Sequence, residues 1–184
     1  RGAGGRGGGF GWALHMRRGS VEVDDQKGGV EFRRTLPEVD PQRIGIMGWS
    51  YGGYMALMCT LRAPEHFAAG VAGAPVSDWR LYDTHYTERY MSTPQANTAG
   101  YDASDVLTYT GKLSRPLLLI HGMADDNVLF THSTVVMQAL QQGNQPVDLI
   151  DRKSGVEGKS VGVRVDPGGR GIMEWSYGGY MAMR

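Results

Sequence analysis

The chain has 184 residues, enough to bury one hydrophobic core. Its formal net charge is zero, which excludes a whole-chain attraction to nucleic acid, and no apolar run approaches the roughly 18 residues of a membrane span. Cys59 is the single cysteine, which excludes an internal disulfide and a cysteine-based metal cluster, and no metal or cofactor is expected.

In chain order, Arg1 to Gly9 is nearly all Gly and Arg and has too little apolar surface to bury, so residues 1–20 are expected to be a loop and a frayed start. An RNA-binding Arg/Gly segment would carry repeats and sit in a basic chain, and this one does neither. Nor does the start read as a signal peptide, for it has no apolar central stretch. Residue 1 is not Met, so the chain is expected to begin inside a longer protein. Val21 to Leu36 has helical character, closed by Pro37. Arg43 to Met47 reads as a short apolar strand, Tyr54 to Leu61 as helix, and Ala68 to Ala74 as a second strand. Pro116 to His121 holds four apolar residues in a row, Leu117, Leu118, Leu119 and Ile120, which suits a strand buried on both faces of a parallel sheet. Thr131 to Gln142 reads as a helix ended by Gly143, and Val147 to Ile150 opens another strand. Strands alternating with helices predict an α/β fold with a mostly parallel, doubly wound sheet over residues 21–150.

The last segment differs. Val165 to Arg184 repeats Val39 to Met58 at a constant offset of 126, with 14 of 20 positions identical. A structural repeat duplicates a whole supersecondary unit, whereas this one copies a strand end and a turn. Residues 151–184 are therefore expected to be an artefactual tail, with Asp151 to Val161 resembling translated adapter sequence.

Gly48-Trp49-Ser50-Tyr51-Gly52 is a G-x-S-x-G motif. It places a serine on a tight strand-to-helix turn, with its hydroxyl above the sheet. An apolar strand precedes it and a helical segment follows, as the motif requires. Ser50 is the candidate nucleophile, and the backbone N–H of Tyr51 is the natural oxyanion donor. The repeat replaces the first glycine with Glu174, so Ser176 is rejected as a nucleophile.

In α/β-hydrolases the acid follows a later strand and the histidine comes last. Asp125 and Asp126 stand after the Leu-rich strand and are the candidate acids, against the alternative of an acidic surface turn. The chain has five histidines, His15, His66, His85, His121 and His132. Only His132 follows Asp125, too closely and in a helix, and His121 ends a strand as a structural residue. Without a general base a serine hydroxyl is a weak nucleophile at neutral pH, so this chain is expected to be nearly inert.

Several blocks occur in order: Val39-Asp40-Pro41-Gln42-Arg43-Ile44-Gly45, the elbow extended through Gly53-Tyr54, Ala74-Pro75-Val76-Ser77-Asp78-Trp79, Tyr86-Thr87-Glu88-Arg89-Tyr90-Met91, and Leu119-Ile120-His121-Gly122 leading to Asp125-Asp126-Asn127-Val128. Together they resemble the prolyl oligopeptidase family, within it the dipeptidyl peptidase IV-like branch. The resemblance implies an α/β-hydrolase fold, here without the family's N-terminal propeller and C-terminal histidine region. It implies a serine peptidase that removes dipeptides after proline or alanine through an acyl-enzyme on Ser50.

By the same resemblance, Asp125 is the triad acid and Tyr51 the oxyanion donor. Val76, Trp79, Tyr82, Tyr86 and Val128 form a small slot for proline, and Asn127 donates to a substrate carbonyl. From spacing alone Tyr82, Tyr86 and Tyr90 could equally be helix-core residues. Arg33 stands where the family usually has an apolar residue, which bears on helix packing. The resemblance further implies a peptide substrate, a homodimeric parent, and a periplasmic or extracellular setting. Two other readings remain. One is a non-catalytic binding module of the same fold, which would leave a sheet edge uncovered. The other is an esterase or acyl-peptide hydrolase, against which the Tyr-Thr-Glu-Arg-Tyr-Met block weighs.

Overall fold

The computed structural model describes residues 1–151 and the backbone of 170–175 and 179–182. Helix α1 (Gly8–Trp12) is followed by α2 (Val21–Arg34), β1 (Ile44–Trp49), α3 (Tyr51–Arg62) and β2 (Ala69–Gly73). Then come α4 (Thr84–Met91), α5 (Thr98–Ser104), β3 (Leu117–His121), α6 (Thr131–Gln142), β4 (Asp148–Asp151), β5 (Arg170–Trp175) and β6 (Gly179–Ala182). Short 3₁₀ turns lie at Trp79–Leu81 and Val106–Lys112.

The expected helices and strands appear within a few residues of their predicted limits. The fold is the expected α/β arrangement, with β1 to β4 forming a parallel run. Strand order is β4-β3-β2-β1-β5-β6, parallel except for the β5–β6 hairpin. From β1 to β4 the chain steps across the sheet in one direction. Helix α3, the 106–112 turn and α6, each from a connection between neighbouring strands, pack into one layer.

Strand register explains where the core lies. Ile46, Gly70 and Leu117 share one row of the sheet, and Gly48, Ala72 and Leu119 the next. These residues are buried, with α3 packed over β1 and β2. Close approach is built into the sequence: a Cβ on Gly70 would stand 2.1 Å from the Thr60 hydroxyl of α3. The alternate row, Met47, Val71 and Leu118, is half-buried. At the β4 edge Leu149 and Ile150 are exposed. The apolar run of β3 is thus less evenly enclosed than its composition suggests.

Helix α2 buries Glu22, Val23, Gln26 and Val30, one stripe at helical spacing, and Arg33, one turn further along the same stripe, is half-buried. Residues 1–20 hold more order than a Gly/Arg-rich start suggests. Gly8–Trp12 is helical, and the Met16 N–H donates to the Tyr90 carbonyl at 2.8 Å while the Asn97 amide donates to the Met16 carbonyl at 3.0 Å. Long-range hydrogen bonds supply what the local composition lacks.

Strand β5 pairs with β1 so that Ile44 faces Arg170, Gly45 faces Gly171 and Gly48 faces Glu174. Each residue of β1 therefore sits beside its own copy, at the repeat offset. The rejected Ser176 lies outside the described residues, as do 152–169, 177–178 and 183–184.

Candidate active site

Ser50 ends β1 and opens α3 with φ 57° and ψ −115°. A non-glycine residue in this region is strained, and it persists only where the surroundings hold it. Three restraints do so here. The Ser50 N–H donates to the Gly73 carbonyl at 2.8 Å, and the Tyr54 N–H closes the first helical turn on the Ser50 carbonyl at 3.0 Å. A Cβ on Gly48 would lie 2.2 Å from the Gly52 carbonyl oxygen, so only glycine lets β1 and α3 approach this closely. Gly53 is similarly confined, 2.4 Å from the Gly73 carbonyl oxygen. The hydroxyl of Ser50 makes no hydrogen bond to a described residue. Tyr51 is the first residue of α3, so its N–H is among the first-turn donors that no helical carbonyl reaches.

Asp125 stands beyond the carboxyl end of β3. Because β1, β2 and β3 are parallel, Ser50 and Asp125 lie at the same edge of the sheet. The Oδ1 atom of Asp125 accepts the N–H groups of Asn127 and Val128, both at 3.0 Å. Two backbone donors fix the carboxylate in place. Its Oδ2 lies 3.7 Å from His121 Nε2, too far for a hydrogen bond. Asp126 is exposed.

Neither buried histidine is available as a base. His121 is fully enclosed, with Nε2 2.7 Å from the Val128 carbonyl and Nδ1 2.7 Å from the Ser133 hydroxyl. A carbonyl only accepts, so Nε2 carries the proton and Nδ1 accepts from Ser133. His132 accepts the Ser77 N–H at Nδ1, 3.1 Å away. Its Nε2 forms no well-shaped hydrogen bond, although the Leu81 backbone favours its charged form slightly. Of the others, His66 pairs with Glu65 and Glu31, His15 packs edge-on against Trp12, and His85 is exposed in the first turn of α4.

Burial, with a smaller contribution from His121, pushes the His132 imidazole down to about 4 from an ordinary 6.5. Between those values the unfolded chain binds a proton that the folded chain refuses. Stability is therefore full above about pH 6.5 and falls as pH drops toward 4, by roughly 3 kcal/mol from this group. Urea unfolding at pH 7 and pH 4.5 should show the loss. His132→Asn keeps an acceptor for the Ser77 N–H and should remove this part of the pH dependence.

The residues expected to line a slot do cluster. Trp79 is buried, 6.0 Å from both Tyr82 and Tyr86 between ring centroids, and Tyr82 and Tyr86 stand 5.5 Å apart. Tyr51 lies 5.6 Å from Trp79. Val76 and Val128 are buried, and the Tyr82 hydroxyl donates to Asn127 Oδ1 at 3.0 Å, tying the aromatic cluster to the Asp125 loop. Tyr82 and Tyr86 are half-buried and Tyr90 is exposed, so this ladder forms a wall rather than a core stripe.

Two further residues belong to the cluster and escaped the sequence reading. Arg18 lies over the faces of Tyr51, Trp79, Tyr86 and Tyr90. Glu22 accepts the Tyr51 hydroxyl and, at 3.0 and 3.1 Å, the N–H groups of Gly19 and Ser20. Burial, then the neighbouring Glu22 carboxylate, raise the Tyr51 phenol well above its ordinary value, so it stays protonated and donates. The only local signal was an acidic residue in the first turn of α2. Among the described residues, no group of His, Cys, Asp and Glu is arranged to hold a metal, and no helix is long and apolar enough to cross a membrane.

A strained serine thus stands between β1 and α3, and an aspartate follows β3 at the same end of the sheet. The sequence profile of the prolyl oligopeptidase family matches residues 1–155. The chain belongs to this family. It is 41% identical over 144 residues to human dipeptidyl peptidase 8, covering 76% of this chain and 16% of that protein. It is 43% identical over 142 residues to dipeptidyl aminopeptidase B of Saccharomyces cerevisiae, covering 76% of this chain and 17% of that one. The crystal structure of Porphyromonas gingivalis dipeptidyl peptidase 4 superimposes with a TM-score of 0.82 at 42% identity, over 86% of this chain and 23% of that one. The chain thus spans less than a quarter of the length of each of these relatives.

Proposed function

We propose that residues 21–150 carry the nucleophile half of a serine peptidase that releases N-terminal dipeptides after proline or alanine. The observation that carries this reading is Ser50 at φ 57° and ψ −115°, held by backbone contacts that only glycines allow. Ser50 Oγ would attack the scissile carbonyl, and the Tyr51 N–H would take the developing oxyanion. An acyl-enzyme forms as the amine leaves, and water releases the dipeptide. Asp125 would orient the histidine that accepts the Ser50 proton. The aromatic cluster of Trp79, Tyr82 and Tyr86, closed by Val76 and Val128, suits a proline ring, which offers flat apolar surface and no N–H. Asn127 would donate to a substrate carbonyl.

None of the five histidines is placed to serve as the base, so this chain is proposed to turn over little. The test compares glycyl-proline anilide with a short-chain aryl ester, on this chain and on a longer chimera in which its residues 21–150 replace the matching segment of dipeptidyl aminopeptidase B of Saccharomyces cerevisiae. This chain should cleave neither above its Ser50→Ala variant. The longer chimera should cleave the anilide faster, with all activity lost in Ser50→Ala. Faster ester cleavage, or anilide cleavage that survives Ser50→Ala, would overturn the proposal.

A further inference from the structure

Arg18 is 6% exposed, yet it carries a charge. Its guanidinium carbon lies 4.9 Å from the ring centroid of Tyr51, 4.9 Å from Trp79, 5.0 Å from Tyr86 and 4.4 Å from Tyr90. Its Nε is buried without a hydrogen-bond partner, so ring faces stand in for much of the lost water. Burial opposes the charge, but the phenols of Tyr51 and Tyr86 and the Glu22 carboxylate outweigh it and hold the group above its ordinary range.

The backbone that presents Arg18 is fixed. Gly19 has φ +73°, and a Cβ there would meet the Tyr54 hydroxyl at 2.1 Å. Glu22 grips the N–H groups of Gly19 and Ser20, and the Arg62 guanidinium donates to the Gly19 carbonyl. Glu22 is itself engaged by these N–H groups and by the Tyr51 phenol.

Trp79 and Tyr86 contact two different neighbourhoods. One holds Arg18, Tyr51 and Tyr90; the other holds Tyr82, bonded to Asn127. Arg18 therefore packs directly on two rings of the proposed slot, Trp79 and Tyr86.

We infer that Arg18 is a specificity-determining residue, a positively charged wall that lets the slot take a small uncharged ring and reject a cationic one. This rests on the cluster being the substrate slot. Ring faces already engaged by one guanidinium offer little to a second cation. Arg18 itself is buried, so repulsion between it and a second charge at these rings is only partly screened. Glu22 cannot turn to meet the newcomer without releasing the Gly19–Ser20 turn.

The test uses the full 184-residue chain and two ligands of equal ring size, glycyl-4-fluoroprolinamide and glycyl-4-aminoprolinamide, which share the glycyl ammonium and differ in that only the second adds a cationic group on the ring at pH 7. Binding of the first is followed by fluorine NMR, and the second is measured as its competitor. The native chain should bind the amino ligand at least about tenfold more weakly. Arg18→Met should bring the two within about threefold, and Arg18→Lys should restore the gap by returning the charge. Equal binding of both ligands by the native chain overturns the inference without any variant. So does a full gap in a folded Arg18→Met, or a narrowed gap that lysine fails to restore. If the native chain binds neither ligand, the slot reading itself falls and this inference with it.

Discussion

Replacing Gly48 with alanine is expected to cost about 4 kcal/mol or more, a large share of what holds a domain of this size together. The added Cβ would lie 2.2 Å from the Gly52 oxygen, 2.3 Å from its carbonyl carbon and 2.7 Å from its Cα. All three are backbone atoms at the start of α3, so no rotamer change relieves the overlap. Strand and helix must part, and with them goes the burial of Tyr54, Leu57 and Leu61. Gly45→Ala is the matched control in the same strand. Its Cβ would meet the Ala69 oxygen at 3.4 Å, and the expected cost is under about 1 kcal/mol. Urea unfolding of the three proteins measures the difference. A Gly48→Ala midpoint close to that of Gly45→Ala would mean that β1 and α3 are not packed this closely.

The second large effect runs the other way. Ser50→Gly is expected to stabilise the fold by about 1 kcal/mol. Strain at a positive-φ serine is of order 1–3 kcal/mol, offset in part by the greater freedom of glycine in the unfolded chain. Ser50→Ala keeps the Cβ and therefore the strain, so it should unfold with the native protein. The ordering glycine above alanine, with alanine equal to serine, identifies the backbone as the source. Equal gains from both would instead place the cost in the serine hydroxyl. In the longer chimera both variants should lose turnover by roughly 10⁶-fold, as loss of a triad nucleophile does. Stability and chemistry would then oppose each other at one residue, with the strain serving to hold the hydroxyl at the sheet edge.

The histidines show how far local reading reached. His121 is the enclosed structural residue its place at a strand end suggested. His132 was set aside as a base because of its helix, and the structure adds the bond to the Ser77 N–H across 55 residues, which no spacing argument supplies. The tyrosines were ambiguous for a similar reason. Spacing of four residues puts Tyr82, Tyr86 and Tyr90 on one helix side, and only the position of Trp79 shows that they form a half-open wall.

The sequence by itself determined the elements and the elbow, because both follow from local physics. Apolar runs, Pro37 and Gly143 set strand and helix limits, and glycines at 48, 52 and 53 permit one kind of turn around Ser50. Tertiary structure alone decided the rest. Gly53-Tyr54-Met55-Ala56 is helix in α3, while the same four residues at 179–182 form strand β6. Identical local preferences took opposite forms because one segment covers the sheet and the other pairs with β5. Arg18, three residues outside α2, falls in the segment expected to be a loop and a frayed start. It became a buried cation because four aromatic faces, from positions 51 to 90, converge on it. Such energies depend on contacts far apart in the chain, and local composition carries no trace of them.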